Sequence, residues 1–104
     1  MKRYAPKKAE FREWLRSKRP NTSVGLAMRI SQCPIAKFLK SQPDIASATV
    51  DTYQIDVKLV SGALRSYRTP KWAVEFIGGV DQFSGLPNTI SAKRALEVLE
   101  ARNG

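Results

Sequence analysis

The chain has 104 residues, of which 42% are hydrophobic and 26% are charged, with six glycines and six prolines. This length and composition predict one folded domain and exclude both a disordered chain and a second hydrophobic core. Eighteen lysines and arginines against nine acidic residues give a formal charge of +9, which favours polyanionic partners such as nucleic acid or an acidic protein surface.

Two residue types are scarce, and this limits the chemistry that the chain can perform. The chain has no histidine and a single cysteine, Cys33. Catalytic groups and metal sites that depend on histidine are therefore excluded, no intrachain disulfide can form, and we expect no cofactor. We expect Cys33 to be a small, half-buried apolar side chain.

The hydropathy pattern argues against a membrane role. No apolar run approaches the roughly 20 residues that a membrane span requires, and no apolar signal-peptide core follows the basic N-terminus. We therefore expect a cytoplasmic protein without a membrane partner.

The first predicted element is a helix over residues 5–19. Phe11, Trp14 and Leu15 recur at the helical spacing i, i+3, i+4 and form one narrow apolar stripe. Pro6 suits the first turn of such a helix, and Pro20 ends it. The stripe predicts that this helix packs against the rest of the domain by one edge.

A basic arc lies beside the apolar stripe. Residues 1–19 contain eight basic side chains and two acidic ones, so they carry +6 of the formal +9. At 100° per residue, four basic residues fall within an arc about 80° wide, and Glu10 and Glu13 fall on the opposite side. The four are Lys8, Arg12, Arg16 and Arg19, and Lys2 and Arg3 extend their charge. Such a row can contact successive phosphates of nucleic acid, whereas the alternative is a solvated face without a partner.

A short strand and a second helix follow. Apolar residues alternate over residues 23–29, which favours a strand, although Gly25 weakens it. Ser31 or Gln32 is expected to open the next helix, with Pro34 in its first turn. The apolar face of that helix consists of Ile35, Phe38 and Leu39.

The clearest strand pattern lies in the middle of the chain. Residues 45–50 and 53–60 are predicted to be strands, the second with alternating apolar and polar side chains. A two-residue loop would pair the second strand with a third and place Lys58 opposite Arg65. Lys58, Arg65 and Arg68 would then form a second basic patch on the open face of a small antiparallel sheet, unless they only cover a solvated face.

A third helix is predicted after this sheet. Thr69 is expected to cap it, with Pro70 at its first helical position, and the two glycines at 78–79 would end it. Residues 72–77 also alternate tolerably as a strand, so the pattern favours a helix without excluding a strand.

The chain is predicted to end with a loop and a fourth helix. Residues 81–88 are expected to be the loop, and Thr89 or Ser91 is expected to cap the helix, which ends near Asn103 and Gly104. The predicted fold is therefore α+β, with a small antiparallel three-stranded sheet packed against about four helices in a single domain spanning residues 1–104.

One short pattern suggests catalysis. Pro-Asp at 43–44 followed by Asp-Val-Lys at 56–58 resembles the signature of a large family of metal-dependent nucleases. The resemblance implies that Asp44 and Asp56 hold Mg²⁺ and that Lys58 positions or activates the attacking water. The alternative is an aspartate in a turn and an ordinary exposed Asp-x-Lys on a strand.

A second resemblance covers most of the chain. Its residues are Phe11-x-x-Trp14-Leu15, Val24-Gly25, Cys33-Pro34-Ile35-Ala36-Lys37-Phe38-Leu39, Trp72-Ala73-Val74-x-Phe76 and Val80-Asp81. Together they resemble a group of small uncharacterised proteins of cyanobacteria, actinobacteria and their phages. The shared residues are mostly apolar, which suggests that they define the fold, and the resemblance implies a phage-related accessory protein.

The leading hypothesis is a small basic protein that binds nucleic acid, either DNA or RNA, through the first helix. A single strand would stack its bases on Tyr4, Tyr53, Tyr67 or a tryptophan beside the basic residues, although Trp14 and Trp72 lie on apolar stripes and are expected in the core. The alternative is a protein-interaction module, such as a phage inhibitor that docks on an acidic host surface. A helix-turn-helix is disfavoured, because about twelve residues separate the first two helices and the motif allows three or four.

Overall fold

The computed structural model describes residues 5–26, 30–82 and 89–101. Within these residues the chain forms four helices, a three-stranded antiparallel sheet and a two-stranded sheet, which confirms the predicted α+β class. The elements in chain order are α1 (Lys8–Arg16), β1 (Ser23–Leu26), α2 (Pro34–Lys40), β2 (Ile45–Val50), β3 (Gln54–Leu59), β4 (Leu64–Arg68), α3 (Lys71–Gln82), β5 (Thr89–Ser91) and α4 (Ala92–Ala101). None of the four helices, as far as they are described, has the length and apolar character needed to cross a membrane.

The larger sheet is the predicted meander, with strand order β2-β3-β4. Along β3 the apolar side chains of Ile55, Val57 and Leu59 are buried, and the polar side chains between them are exposed. This alternation is the period of a strand that packs one face on a core and leaves the other to solvent. α2 packs on this sheet at β2, and its buried side chains include Phe38 and Leu39.

The predicted register of the β3–β4 hairpin is wrong by one residue. Lys58 lies opposite Leu64, and Arg65 lies opposite Val57. The Leu59 amide donates to the Ala63 carbonyl at 2.9 Å, which leaves a loop of three residues, 60–62, between them. Gly62, the last residue of this loop, has φ +94°. A glycine with positive φ is typical of three-residue hairpin loops, and a shift of one residue moves every side chain to the other face.

The two-stranded sheet joins β1 to β5, which the sequence analysis did not predict as a strand. Ser23 lies opposite Ser91, and the pairing continues beyond β5, where the Lys93 amide donates to the Pro20 carbonyl at 3.0 Å. The predicted cap by Ser91 is confirmed, since its hydroxyl accepts the Arg94 amide at 3.1 Å. These contacts hold the start of α4 beside the end of α1.

Several predicted helix ends need correction. α1 is shorter than residues 5–19 and begins after Pro6, with Lys7 as its N-cap residue. Cys33, rather than Ser31 or Gln32, caps α2, and its buried sulfur accepts the Ala36 amide at 3.5 Å.

Two of the corrections concern α3. α3 begins at Lys71, so Pro70 precedes the helix instead of holding its first position, and Thr69 is one residue too early to cap it. The Thr69 hydroxyl instead donates to the carbonyl of Asp51 at 2.7 Å. The strand alternative for residues 72–77 is wrong, and the helix runs through the two glycines and the start of the predicted loop to Gln82. The remaining loop residues 83–88, Met28, Asn103 and Gly104 lie outside the described residues.

Phe11 occupies the centre of an aromatic cluster that joins three helices. Its ring is fully buried, and its centroid lies 5.1 Å from that of Phe76 and 5.5 Å from that of Phe38. Trp72 and Trp14 complete the cluster at 5.7 and 6.1 Å from Phe11. Aromatic pairs at these distances contribute beyond the area that they bury, so the cluster fixes α1 against α2 and α3.

Gly25 marks the closest approach between β1 and the start of α2. A Cβ at this position would lie 2.7 Å from both the Gln32 carbonyl oxygen and the Pro34 nitrogen. The Leu26 amide donates to the same Gln32 carbonyl at 2.8 Å. The glycine that weakens β1 as a strand is therefore required for packing.

We predict that Gly25→Ala lowers the free energy of unfolding by about 1–3 kcal/mol, because backbone atoms must move to admit the methyl group. The measurement is urea denaturation followed by tryptophan fluorescence. Gly78→Ala is the matched control, since its Cβ would meet no atom within 4 Å. In the middle of a helix that change should raise stability by up to about 1 kcal/mol. Equal effects of the two variants would contradict the account of Gly25.

Candidate nucleic-acid interface

The predicted basic arc of α1 lies at the molecular surface. Phe11 and Leu15 are fully buried, so the helix is held by its apolar edge and presents its other faces outward. Lys8 and Arg12 are half-buried at the base of the arc, whereas Arg16 is exposed. Arg19 lies just beyond the end of the helix and is also exposed. Lys2 and Arg3, which were predicted to extend the arc, lie outside the described residues.

Carboxylates reach the arc from two directions, which the sequence analysis did not foresee. Glu13 was placed on the opposite side of the helix, yet its carboxylate accepts a hydrogen bond from Arg16 at 3.3 Å. Glu100 of α4 lies 3.5 Å from a second nitrogen of Arg16 and 4.0 Å from Nε of Arg12. Glu100 is distant in sequence, so only the packing of α4 against α1 brings it here.

These ion pairs are weak constraints on the arginines. The side chains of Arg16 and Glu100 are 54% and 53% exposed, and exposed pairs of this kind contribute about 0–1 kcal/mol. Arg12 is more enclosed, because its side chain is only 28% exposed and its Nε is buried without a hydrogen-bond partner among the described residues. A phosphate that approaches Arg16 therefore competes with Glu13 and Glu100 at low cost.

Two lysines that the sequence analysis did not select join this surface. Lys18 lies over the ring of Trp14, with its Nζ 5.1 Å from the centroid, and Lys93 lies near it on α4. Both line a groove of about 620 Å³ between the end of α1 and α4. Glu97 and Glu100 also line this groove, so its charge is mixed. The i, i+4 spacing of Trp14 and Lys18 could have predicted the contact of Lys18 with the Trp14 ring. Nothing in the sequence indicated that Lys93 would lie at this surface.

The second predicted basic patch does not form as expected. Lys58 lies on the open face of the sheet, but the corrected register places Arg65 on the other face. The guanidinium of Arg65 donates to the Leu64 carbonyl at 2.9 Å, at the edge of the sheet. Arg68 shares the open face with Lys58 but lies at the far end of the hairpin, opposite Gln54.

The structure does not assemble the nuclease-like triad. Asp56 and Lys58 share the open face of β3, but Asp44 lies at the start of β2, where its carbonyl accepts the Val60 amide at 2.9 Å. At about 3.3 Å per residue, Val60 is roughly 13 Å from Asp56 along the strand, so both carboxylates cannot hold one Mg²⁺. No group of three residues suited to metal binding occurs in the described parts of the chain.

Asp56 has other partners on the sheet. The Ser66 hydroxyl and the Gln54 side-chain amide each donate to the same carboxylate oxygen at 2.7 Å. Both hydrogen bonds lower the pKa of Asp56 below its ordinary value of 3.8, and the bond from Ser66 has the larger effect. A hydrogen bond to the ionised form lowers a carboxyl pKa, so this exposed aspartate stays charged and acts in cross-strand pairing.

No protein-family model, curated protein or solved structure matches this chain. Function therefore has to be inferred from the surface of the molecule. The apolar residues of the resemblance to cyanobacterial, actinobacterial and phage proteins, such as Phe11, Ile35, Ala73 and Phe76, are buried in the core, which is consistent with a role in the fold. Gly25 meets Cys33 and Pro34 at the close contact between β1 and α2.

Proposed function

We propose that the protein binds nucleic acid by contacting phosphates with the basic face of α1. This basic face consists of Lys8, Arg12, Arg16, Lys18 and Arg19. The observation that carries the proposal is that α1 is fixed by the fully buried Phe11 and Leu15. Its cations Lys8, Arg12 and Arg16 are therefore displayed on a rigid element, and Lys18 and Arg19 follow directly after its end. A rigid row of cations loses little conformational freedom when it binds, which favours affinity.

The chemistry of the basic face suits phosphate. Arginine offers paired, charge-assisted hydrogen bonds that match phosphate oxygens, and lysine supplies a compact charge. Each contact releases counterions from the nucleic acid, so binding becomes weaker as salt rises. Contacts of this kind carry little sequence information, so we expect binding to DNA or RNA of many sequences. A cytoplasmic location and a phage-related role belong to the same proposal.

We predict that the double variant Arg16→Glu, Arg19→Glu weakens binding of a fluorescein-labelled oligonucleotide by about tenfold or more at low salt. Fluorescence anisotropy over a series of salt concentrations measures the affinity. The slope of log affinity against log salt should also become shallower, because fewer counterions are released.

The matched control is Lys37→Glu, Lys40→Glu, which makes the same change in net charge on the exposed side of α2. It should change affinity much less. Equal losses in the two double variants would show attraction to the whole molecule rather than to the basic face, and salt-independent binding or no binding by the wild type would contradict the proposal. If the protein instead captures one protein partner from a lysate, and nuclease treatment does not release that partner, the protein-interaction alternative is favoured.

We predict that Glu100→Gln strengthens the same binding by about two- to fivefold, because it removes the carboxylate that lies 3.5 Å from Arg16 and 4.0 Å from Arg12. The measurement is again anisotropy at low salt. Glu10→Gln is the control, since it removes an equal charge from the exposed side of α1 away from the basic face. If both variants gained equally, the ion pair would have no role in binding.

A further inference from the structure

We infer that a single strand of nucleic acid, rather than a duplex, is the preferred ligand, and that one of its nucleotides occupies a groove between the segment before α1 and strand β4. This inference rests on the proposed function and names the form of nucleic acid that the protein selects.

The groove has a volume of about 530 Å³ and lies apart from the groove between α1 and α4. The residues Ala5, Pro6 and Lys7 form one wall. Ser66, Tyr67, Arg68 and Pro70 form the other. Small-molecule sites commonly have volumes of about 300–1,000 Å³, so the space suits one nucleotide.

The charge of this groove is of one sign. Lys7 belongs to one wall and Arg68 to the other, and none of the described residues that line the groove is acidic. The groove between α1 and α4 is different, because Glu97 and Glu100 line it beside its basic residues. Lys7 and Pro70, which line the groove beside β4, directly precede α1 and α3. The positive ends of two helix dipoles therefore add to the charge of Lys7 and Arg68. A phosphate is therefore favoured in this groove over the groove between α1 and α4.

Tyr67 gives the groove an aromatic wall. Its side chain is half-buried and packs against the core, opposite Ile55 of β3, so the ring is held in place. Stacking of a base on a fixed aromatic ring contributes to binding of single strands of any sequence, because every base has a flat face. The bases of a duplex are already stacked on each other and cannot reach a ring at the side of a groove.

The groove continues into the basic face of α1. Lys7, on its wall, is the N-cap residue of α1, and Lys8 is the first residue of both the helix and the basic face. A strand with one phosphate between Lys7 and Arg68 can therefore place its next phosphates along α1. A flexible single strand can follow this path, whereas a stiff duplex cannot bend into the groove.

The test compares a short fluorescein-labelled single-stranded oligonucleotide with the same oligonucleotide annealed to its complement, by anisotropy at low salt. The wild type should prefer the single strand. Tyr67→Leu, which keeps an apolar side chain against the core, and Arg68→Gln should each weaken single-strand binding by about five- to tenfold and affect the duplex less. The controls are Tyr53→Leu, at an exposed tyrosine in the β2–β3 turn, and Lys37→Gln on α2, which should both bind as the wild type does. Circular dichroism and urea denaturation establish that each variant is folded.

The outcomes separate this inference from the proposed function. If the duplex and the single strand bind equally and the groove variants change neither, the groove is not a binding site, while binding through the basic face of α1 stands. If the groove variants weaken both ligands equally, the groove supplies charge without selecting single strands, and the inference is wrong. If neither ligand binds the wild type, the proposed function fails and the inference fails with it.

Discussion

The burial of Phe11 among four other aromatic rings is the interaction on which the rest of the structure depends. A helix of nine residues such as α1 is marginal on its own in water, so its stability has to come from packing. Phe11 supplies that packing through Phe38 of α2 and through Trp72 and Phe76 of α3. The basic face exists as an ordered surface only because this ring fixes the helix that carries it.

Charge and packing oppose each other at the junction of α1 and α4. The two-stranded sheet brings the start of α4 to Pro20, and the helix then runs back along α1 until Glu100 reaches Arg12 and Arg16. This carboxylate offsets repulsion between neighbouring cations, which would otherwise destabilise the folded state. It also competes with any phosphate, so folding and binding make opposite demands on the same two arginines.

Periodic patterns predicted the elements well where each element buries one face. The stripe of Phe11, Trp14 and Leu15 and the alternation along β3 both report such burial directly. The failures have a different origin. The hairpin register depends on the three-residue loop at Gly62, and β5 is only three residues long, so neither has a periodic pattern in the sequence. Glu100 meets Arg16 only through tertiary packing, which no periodic pattern reports. The four residues of the basic arc were found from their helical spacing, whereas Lys93, the acidic partners of the arc and the groove beside β4 required the fold.

The most direct test of the account is to map where an oligonucleotide binds. Amide chemical shifts of isotope-labelled protein, followed by NMR during titration with a short single strand at low salt, report on α1, β4 and the rest of the sheet in one experiment. The account predicts that the largest changes occur at Lys7 and along α1 to Arg19, and at residues 66–68 of β4. The part of the open face that β2 and the end of β3 form, at Ser47 and Lys58, should be unaffected. Changes confined to that open face, or no changes at all, would contradict it.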